Sequence, residues 1–183
     1  MRIISGIWKG KILKLPKYFH DRPTTDFAKE GLFSSLNSWY DFEGLRILDL
    51  FAGSGSISYE FASRGVAEIT MVEKNPKYVA FIRKQVNELF GDKPVVFNII
   101  RDDVLEFLTH ASLDYDIIFA DPPFDMKQLP QLPDMVLGNT SFPQDSLFIL
   151  EHPKEYDFSS HPAFIRKKHY GHVNFSFFSK SNQ

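Results

Sequence analysis

The chain has no cysteine. Disulfides, thiolate metal sites and cysteine nucleophiles are thereby excluded, and the composition suits a reducing compartment. It also has no apolar run approaching the roughly 18 residues that a membrane helix needs, and its first residues carry no signal-peptide core. A soluble, cytoplasmic protein is expected. No internal repeat, low-complexity tract or interdomain linker interrupts the 183 residues. That length predicts one domain, or one domain with a small appendage.

Net charge is small, at −2, but the average conceals a separation of sign. Residues 1–22 carry Arg2, Lys9, Lys11, Lys14, Lys17 and Arg22 against Asp21 alone, a balance of +5. The other residues hold 15 basic and 22 acidic side chains, a balance of −7. A polyanion contact therefore belongs on the first segment. That segment reads as two short strands around a glycine-bearing turn, with Trp8 ahead of lysines that interleave with apolar residues. Its basic side, with Arg2, Lys9, Lys11, Lys14 and Arg22, can lie on nucleic-acid phosphates; a solvated edge strand guarded by lysine is the alternative. Residues 1–22 are thus expected to form a basic hairpin arm, and 23–183 the main domain.

What is abundant is apolar and aromatic. Hydrophobic residues make up 43% of the chain and 19 residues are Phe, enough for a sizeable, ring-rich core. The spacing predicts a helix from Phe27, with Thr24 or Thr25 as cap and Asp26 complementing its dipole. Strands then alternate with helical patterns: Arg46–Phe51, Glu68–Val72, Val95–Ile100, Tyr115–Ala120 and Ser146–Glu151, with a closing hairpin over 164–178. A short helix is expected around 134–137. The order predicts an α/β fold, a Rossmann-like, doubly wound, mostly parallel sheet.

Two stretches carry chemistry. In the first, Asp49-Leu50-Phe51 runs into Ala52-Gly53-Ser54-Gly55 and a helix, so that backbone N–H groups can approach a ligand at a helix N-terminus. Glu73, ending the second strand, is placed to chelate ribose hydroxyls. Ser58 stands where a dinucleotide fingerprint has its third glycine, which favours a nucleoside without pyrophosphate. After the third strand, Asp103 can accept an adenine amine, cap the next helix, or do both.

The second stretch is Asp121-Pro122-Pro123-Phe124. Two prolines cannot continue a ladder, so the strand must stop there. Its carboxyl edge then presents a carboxylate, a rigid carbonyl and a ring. Asp121 and the Pro122 carbonyl suit the two N–H bonds of a planar amine, and Phe124 suits stacking on its ring. His152, His161, His169 and His172 show no ligand spacing and are expected on the surface or in loops, so no metal is expected. Ser54 and Ser56 lack the flanking elbow of a hydrolase.

Together these motifs resemble class I S-adenosylmethionine-dependent methyltransferases that act on amino groups. The full chain resembles more specifically the RsmD family of 16S rRNA (guanine-N2)-methyltransferases. Carrying this are Met1 to Gly6, Trp8 to Lys11, Arg22 to Asp26, Lys29 to Phe33, Leu150 to His152 and Tyr170-Gly171, besides the stretches above. The resemblance implies a seven-stranded sheet, S-adenosylmethionine as cofactor and ribosomal RNA, within the small subunit, as partner. Asp49 and Phe51 to Gly55 would then line the methionine and ribose of the cofactor, and Glu73 the ribose hydroxyls. Lys74 would lie beside the adenine, Asp103 and Val104 at its edge, Thr24 and Thr25 near the carboxylate. Asp121, Pro122, Pro123 and Phe124 would orient the target base. The chain departs from the family where Lys29-Glu30-Gly31 replaces Arg-Glu-Ala; Gly31 should weaken its helix by about 0.5–1 kcal/mol. Adenine-N6 methylation of DNA or RNA is the nearest rival reading. A non-catalytic ribosome-assembly factor is a rival from another class, and Ser58 disfavours a dehydrogenase.

Overall fold

The computed structural model describes residues 1–19, 24–91 and 94–182. Their strands are β1 (Arg46–Leu50), β2 (Glu68–Glu73), β3 (Val96–Arg101), β4 (Ile117–Ala120), β5 (Leu147–His152), β6 (Phe164–Tyr170) and β7 (Val173–Phe178). The helices are α1 (Asp26–Asn37), α2 (Ser56–Ser63), α3 (Pro76–Phe90), α4 (Val104–His110) and α5 (Leu132–Leu137). All seven strands form one sheet in the order β3-β2-β1-β4-β5-β7-β6. The first five run parallel, and β7 enters antiparallel to both β5 and β6.

Alternation along the central strands sorts the core into two layers. Ile47, Ile117, Phe119, Leu147 and Ile149 face one side, packed with Leu32, Phe33 and Leu36 of α1, Phe61 of α2 and Ile82 of α3. Leu48, Leu50, Ile118, Ala120, Phe148 and Leu150 face the other, against Val104 and Phe107 of α4 and Leu132 and Val136 of α5. Side chains repeat every two residues in a strand, so a sheet covered on both faces needs apolar residues at every position. The four residues of β4 are indeed all buried. Rings do much of the filling: Phe33 meets Phe61 edge to face at 4.7 Å. Such a pair adds about 0.5–1.5 kcal/mol beyond the area it buries.

Local chemistry sets the helix ends. Thr25, rather than Thr24, caps α1, its Oγ1 accepting from the Ala28 amide at 3.2 Å. Asn75 caps α3 with Pro76 at the first turn, and Asp103 caps α4, accepting from the Leu105 amide at 3.0 Å. Pro130 and Pro133, which break the sequence pattern after Phe124, occupy the first turns of a 3-10 turn and of α5. Proline lacks an N–H that these positions do not use.

The first segment departs from expectation in how it is held. Its two halves pair antiparallel at the bridge of Arg2 with Ile12, the Ile3 amide donating to the Lys11 carbonyl at 2.9 Å and the Leu13 amide to that of Met1 at 3.0 Å, and no longer strand forms among its described residues. It is also fastened to α2. The buried Glu60 carboxylate accepts from the Ile4 amide at 2.8 Å and the Ser5 amide at 3.0 Å, and pairs with Arg64 at 2.8 Å. Ser63 Oγ accepts from the Trp8 amide at 3.0 Å. Ile3, Trp8 and Leu13 enter the core layer of α1 to α3, where Trp8 meets Phe90 edge to face at 4.5 Å. Trp8 therefore faces inward, while Lys9, Lys11 and Lys14 are exposed. Lys29 is also inside, 1% exposed, donating to the Arg2 carbonyl at 2.5 Å. Burial pulls its pKa down against the nearby Asp26 and Glu60 carboxylates.

Gly31 has a role beyond its weak helix propensity. A Cβ there would lie 2.1 Å from the Tyr170 ring, whose hydroxyl donates to the Gly31 carbonyl at 3.0 Å. The missing methyl is what lets β6 dock on α1.

Replacing a buried carboxylate strands its partners, here two amides and a guanidinium. Glu60→Ala is expected to cost about 3–5 kcal/mol in urea unfolding. The Ile4 and Ser5 amides should also lose hydrogen-exchange protection; unchanged protection would show that the arm is held by other contacts.

Candidate active site

The order β2-β1-β4 is where the chain reverses its progress across the sheet. Loops leaving β1 and β4 part there and open a crevice, the usual ligand position in open α/β sheets. The crevice is a cleft of about 1560 Å³. Its walls bring together Thr24, Thr25, Asp49, Phe51, Ala52, Gly53, Ser54, Glu73, Lys74, Asp103, Val104 and Asp121 to Phe124. Of the cofactor and base residues read from the sequence, Gly55 alone is not on the wall. It acts one step back, as the left-handed cap of α2 with φ 80°. A Cβ at Gly55 would sit 2.5 Å from the Tyr59 ring.

The turn after β1 is wound tightly. Phe51 holds φ 64°, the left-handed region, at a cost of about 1–2 kcal/mol for a residue with a side chain. The Ala52 amide donates to the Val72 carbonyl at 2.9 Å, and the Gly53 amide to Glu73 at 2.9 Å. The other Glu73 oxygen accepts from the Asn75 amide at 2.6 Å. Glu73 is thereby fixed at the tip of β2, on the cleft wall.

Asp49 lies beneath this turn, 2% exposed. Burial pushes its pKa up to about 7, with the Glu73 charge acting the same way and the Ser58 hydroxyl, 2.6 Å away, opposing. Ser58 thus does more than displace a dinucleotide glycine; it supplies the donor that Asp49 needs. Lys74 and Asp103 pair at 2.8 Å on the cleft rim, which raises the lysine pKa and lowers that of the carboxyl. Asp103 fills one of the two roles open to it in sequence: one oxygen caps α4, while the other accepts from Lys74 at 2.8 Å.

At the end of β4, Pro122 is buried, Asp121 half-buried and Phe124 41% exposed. Beside them stands Glu151, a residue the sequence reading did not assign to the site. It is 3% exposed and lines the cleft. Ala120 pairs with Leu150, so Asp121 and Glu151 follow at neighbouring strand ends. Burial, then the Asp121 charge, raise the Glu151 pKa well above the usual carboxyl range, while a 3.2 Å bond from Thr24 Oγ1 opposes them. The signal available in sequence was an acid closing the strand that comes after the one ending at Asp121.

The other wall is aromatic, and its members were likewise missed. Phe19 stacks on Tyr78 with centroids 4.1 Å apart. Both line the cleft, as do Tyr170 to Val173 from the β6–β7 turn. Ser56 Oγ, on the wall at the start of α2, is buried without a hydrogen-bond partner. A large cleft, a free buried hydroxyl, a fixed carboxylate and a stacked aromatic pair fit an adenosine with a charged tail.

Among the described residues, none of the basic side chains read as RNA contacts lines the cleft. Lys9, Lys11 and Lys14 are exposed, Arg2 is paired with Asp26 at 3.2 Å, and Arg22 lies outside the described residues. One histidine expectation is corrected. His152 is fully buried in β5, its ring bonded to Ser176 Oγ and to the Pro153 carbonyl, both at 2.8 Å. The apolar setting of β5 draws in a side chain whose two nitrogens both find partners. Among the described residues, no helix is long and apolar enough to cross a membrane.

The chain matches, over residues 1–179, the family model described as Conserved hypothetical protein 95. The chain belongs to this family. It is similar to the "Putative rRNA methyltransferase YlbH" of Bacillus subtilis, at 30% identity over 98% of this chain and 99% of that protein. It is similar also to "Ribosomal RNA small subunit methyltransferase D" of Escherichia coli K12, at 28% identity over 100% of this chain and 91% of that one. A solved structure titled a putative methyltransferase from E. coli superposes with a TM-score of 0.81 at 27% identity, covering 98% and 97% of the two chains. The RsmD resemblance and the Rossmann-like methyltransferase fold read from the motifs are both borne out.

The Asp49 pKa has a consequence for the family member in hand. Its folded value lies above the unfolded 3.8, so the native state keeps a proton that the unfolded chain releases. That contribution is complete below the unfolded value and is lost as pH rises through about 7. The stability advantage over Asp49→Asn should therefore shrink by up to about 4 kcal/mol between pH 4 and 8. Paired urea titrations across that range would show it; a constant difference would mean that Asp49 is ionised throughout.

Proposed function

We propose that this protein transfers a methyl group from S-adenosylmethionine to the exocyclic N2 amine of a guanine in small-subunit ribosomal RNA, in the cytoplasm. The observation that carries this is the meeting, in one cleft, of the Phe51–Gly55 turn with the Asp121–Phe124 strand end. The names of its relatives support the substrate class.

The cofactor supplies an electrophilic methyl carbon on a sulfonium. Glu73 would hold the ribose hydroxyls, and Phe51 to Gly55 and Asp49 would line the ribose and methionine. Thr25, whose oxygen accepts from Ala28, still has its own hydrogen to give a carboxylate. Lys74, Asp103 and Val104 would border the adenine.

The nucleophile is the harder partner. An arylamine nitrogen shares its lone pair with the ring. Asp121 and the Pro122 carbonyl, each accepting one N–H, would favour a pyramidal nitrogen aimed at the methyl group. Orientation of this kind supplies several kcal/mol, up to about 7–11 in the best cases. Phe124 would stack on the base for about 1–3 kcal/mol. The ammonium first formed is acidic, so its proton leaves without a dedicated base. The base must be looped or flipped out to reach the cleft. Residues 1–22 would act as the RNA arm on the 23–183 domain, their exposed lysines on phosphates.

Asp121→Ala is expected to keep S-adenosylmethionine affinity within about threefold while losing about 100-fold or more in turnover. Calorimetry and tritium transfer to unmethylated small subunits measure the two. Mass analysis of the product nucleosides should give N2-methylguanosine; N6-methyladenosine would replace the proposed substrate, and full activity of the variant would remove the proposed role of Asp121.

A further inference from the structure

Resting on that reading, we infer that Glu151 is a second reader of the target base, a proton-bearing carboxyl that donates to the ring nitrogen beside the amine held by Asp121. The argument starts from position. Parallel strands lie about 4.8 Å apart, and the register Ala120 with Leu150 puts Asp121 and Glu151 on adjacent strand ends at the same level. Both line the cleft. Glu151 has 3% of its surface exposed, whereas Asp121 is half-buried.

Two neighbouring carboxyl groups at such a spot do not both ionise readily, and the proton goes to the better buried one. The groups facing Glu151 agree with this. Thr24 offers a hydroxyl and Asp121 a negative charge, and these with burial are what act on it. The neighbouring His152 points away from the cleft, bonded to Ser176 and the Pro153 carbonyl. His172 lines the cleft from the β6–β7 turn.

The result is an acceptor beside a donor. That pair complements an exocyclic amine next to an unprotonated ring nitrogen. In guanine the N2 amine has two neighbours, N1, which carries hydrogen, and N3, which does not. A proton-bearing Glu151 therefore selects the N2–N3 edge over the N1–N2 edge. An uncharged carboxyl also avoids a second buried negative charge beside a base edge that accepts.

Three variants test this on unmethylated small subunits: wild type, Glu151→Gln and Glu151→Ala. Glutamine keeps an N–H donor without needing a proton. It should retain turnover within about threefold and stay active at alkaline pH, where the wild type declines. Alanine should lose about 100-fold in turnover with unchanged S-adenosylmethionine affinity. Replacement of the target guanine by 3-deazaguanine in reconstituted subunits should cost the wild type a similar factor and the alanine variant little more. Glutamine as inactive as alanine would show that an ionised Glu151 is needed, and wild-type activity in both would show that it contacts nothing; either overturns the inference. If alanine fails to fold by circular dichroism, the pH profile of the glutamine variant decides alone. Absence of methylation by the wild type would instead defeat the proposed function and leave cofactor binding to be explained.

Discussion

Parallel pairing of β1 with β4 places Leu50 opposite Ala120, and the Asp121 amide still reaches the Leu50 carbonyl at 3.4 Å before the two chains leave the sheet. Everything that follows in the site is a consequence of that adjacency. One strand ends in a glycine turn that admits backbone close to a ligand; the other ends in a proline pair that forbids further pairing. Because both strands are buried on both faces, a slip of one residue would drive Asp49 into the wrong layer of core. The register is therefore held by the whole sheet, and the positions of Phe51 and Asp121 are held with it.

Electrostatics inside the cleft follow from the same crowding. Asp49, Glu73, Asp121 and Glu151 all approach one space from four strand ends. Each has a different accommodation: a hydroxyl from Ser58, two backbone amides, a half-exposed position, a hydroxyl from Thr24. Burial raises the pKa of Asp49 and Glu151, which reduces the mutual repulsion. A cationic ligand entering this space would find acceptors whose charge grows in response to it.

Much of the architecture was legible because the strands obey a period of two and the helices carry their own caps. Asn75-Pro76 and Thr25 behaved as local chemistry requires. That the Phe51–Ser54 turn and Glu73 share one cleft was legible for the same reason, as turn, helix and acidic strand end are contiguous in sequence. What escaped notice depends on contacts between distant residues. Glu151 becomes part of the site only through strand pairing, Phe19 only by stacking on Tyr78, and Ser58 only by facing Asp49. Gly31 looked like a weak helix residue because nothing local announces Tyr170. The basic segment reads as a hairpin and its halves do bond across one bridge, but nothing local announces that its Ile4, Ser5 and Trp8 amides are taken by Glu60 and Ser63 of α2.

That fastening to α2 carries an evolutionary corollary. A segment anchored at its root through a few buried bonds, with Trp8 in the core and the turn closed by its own amides, leaves the Lys9 and Lys11 side chains in solvent. Changes of charge at those exposed side chains can therefore be accepted while the helix beneath, whose Ser56 and Ile57 line the cleft, stays the same.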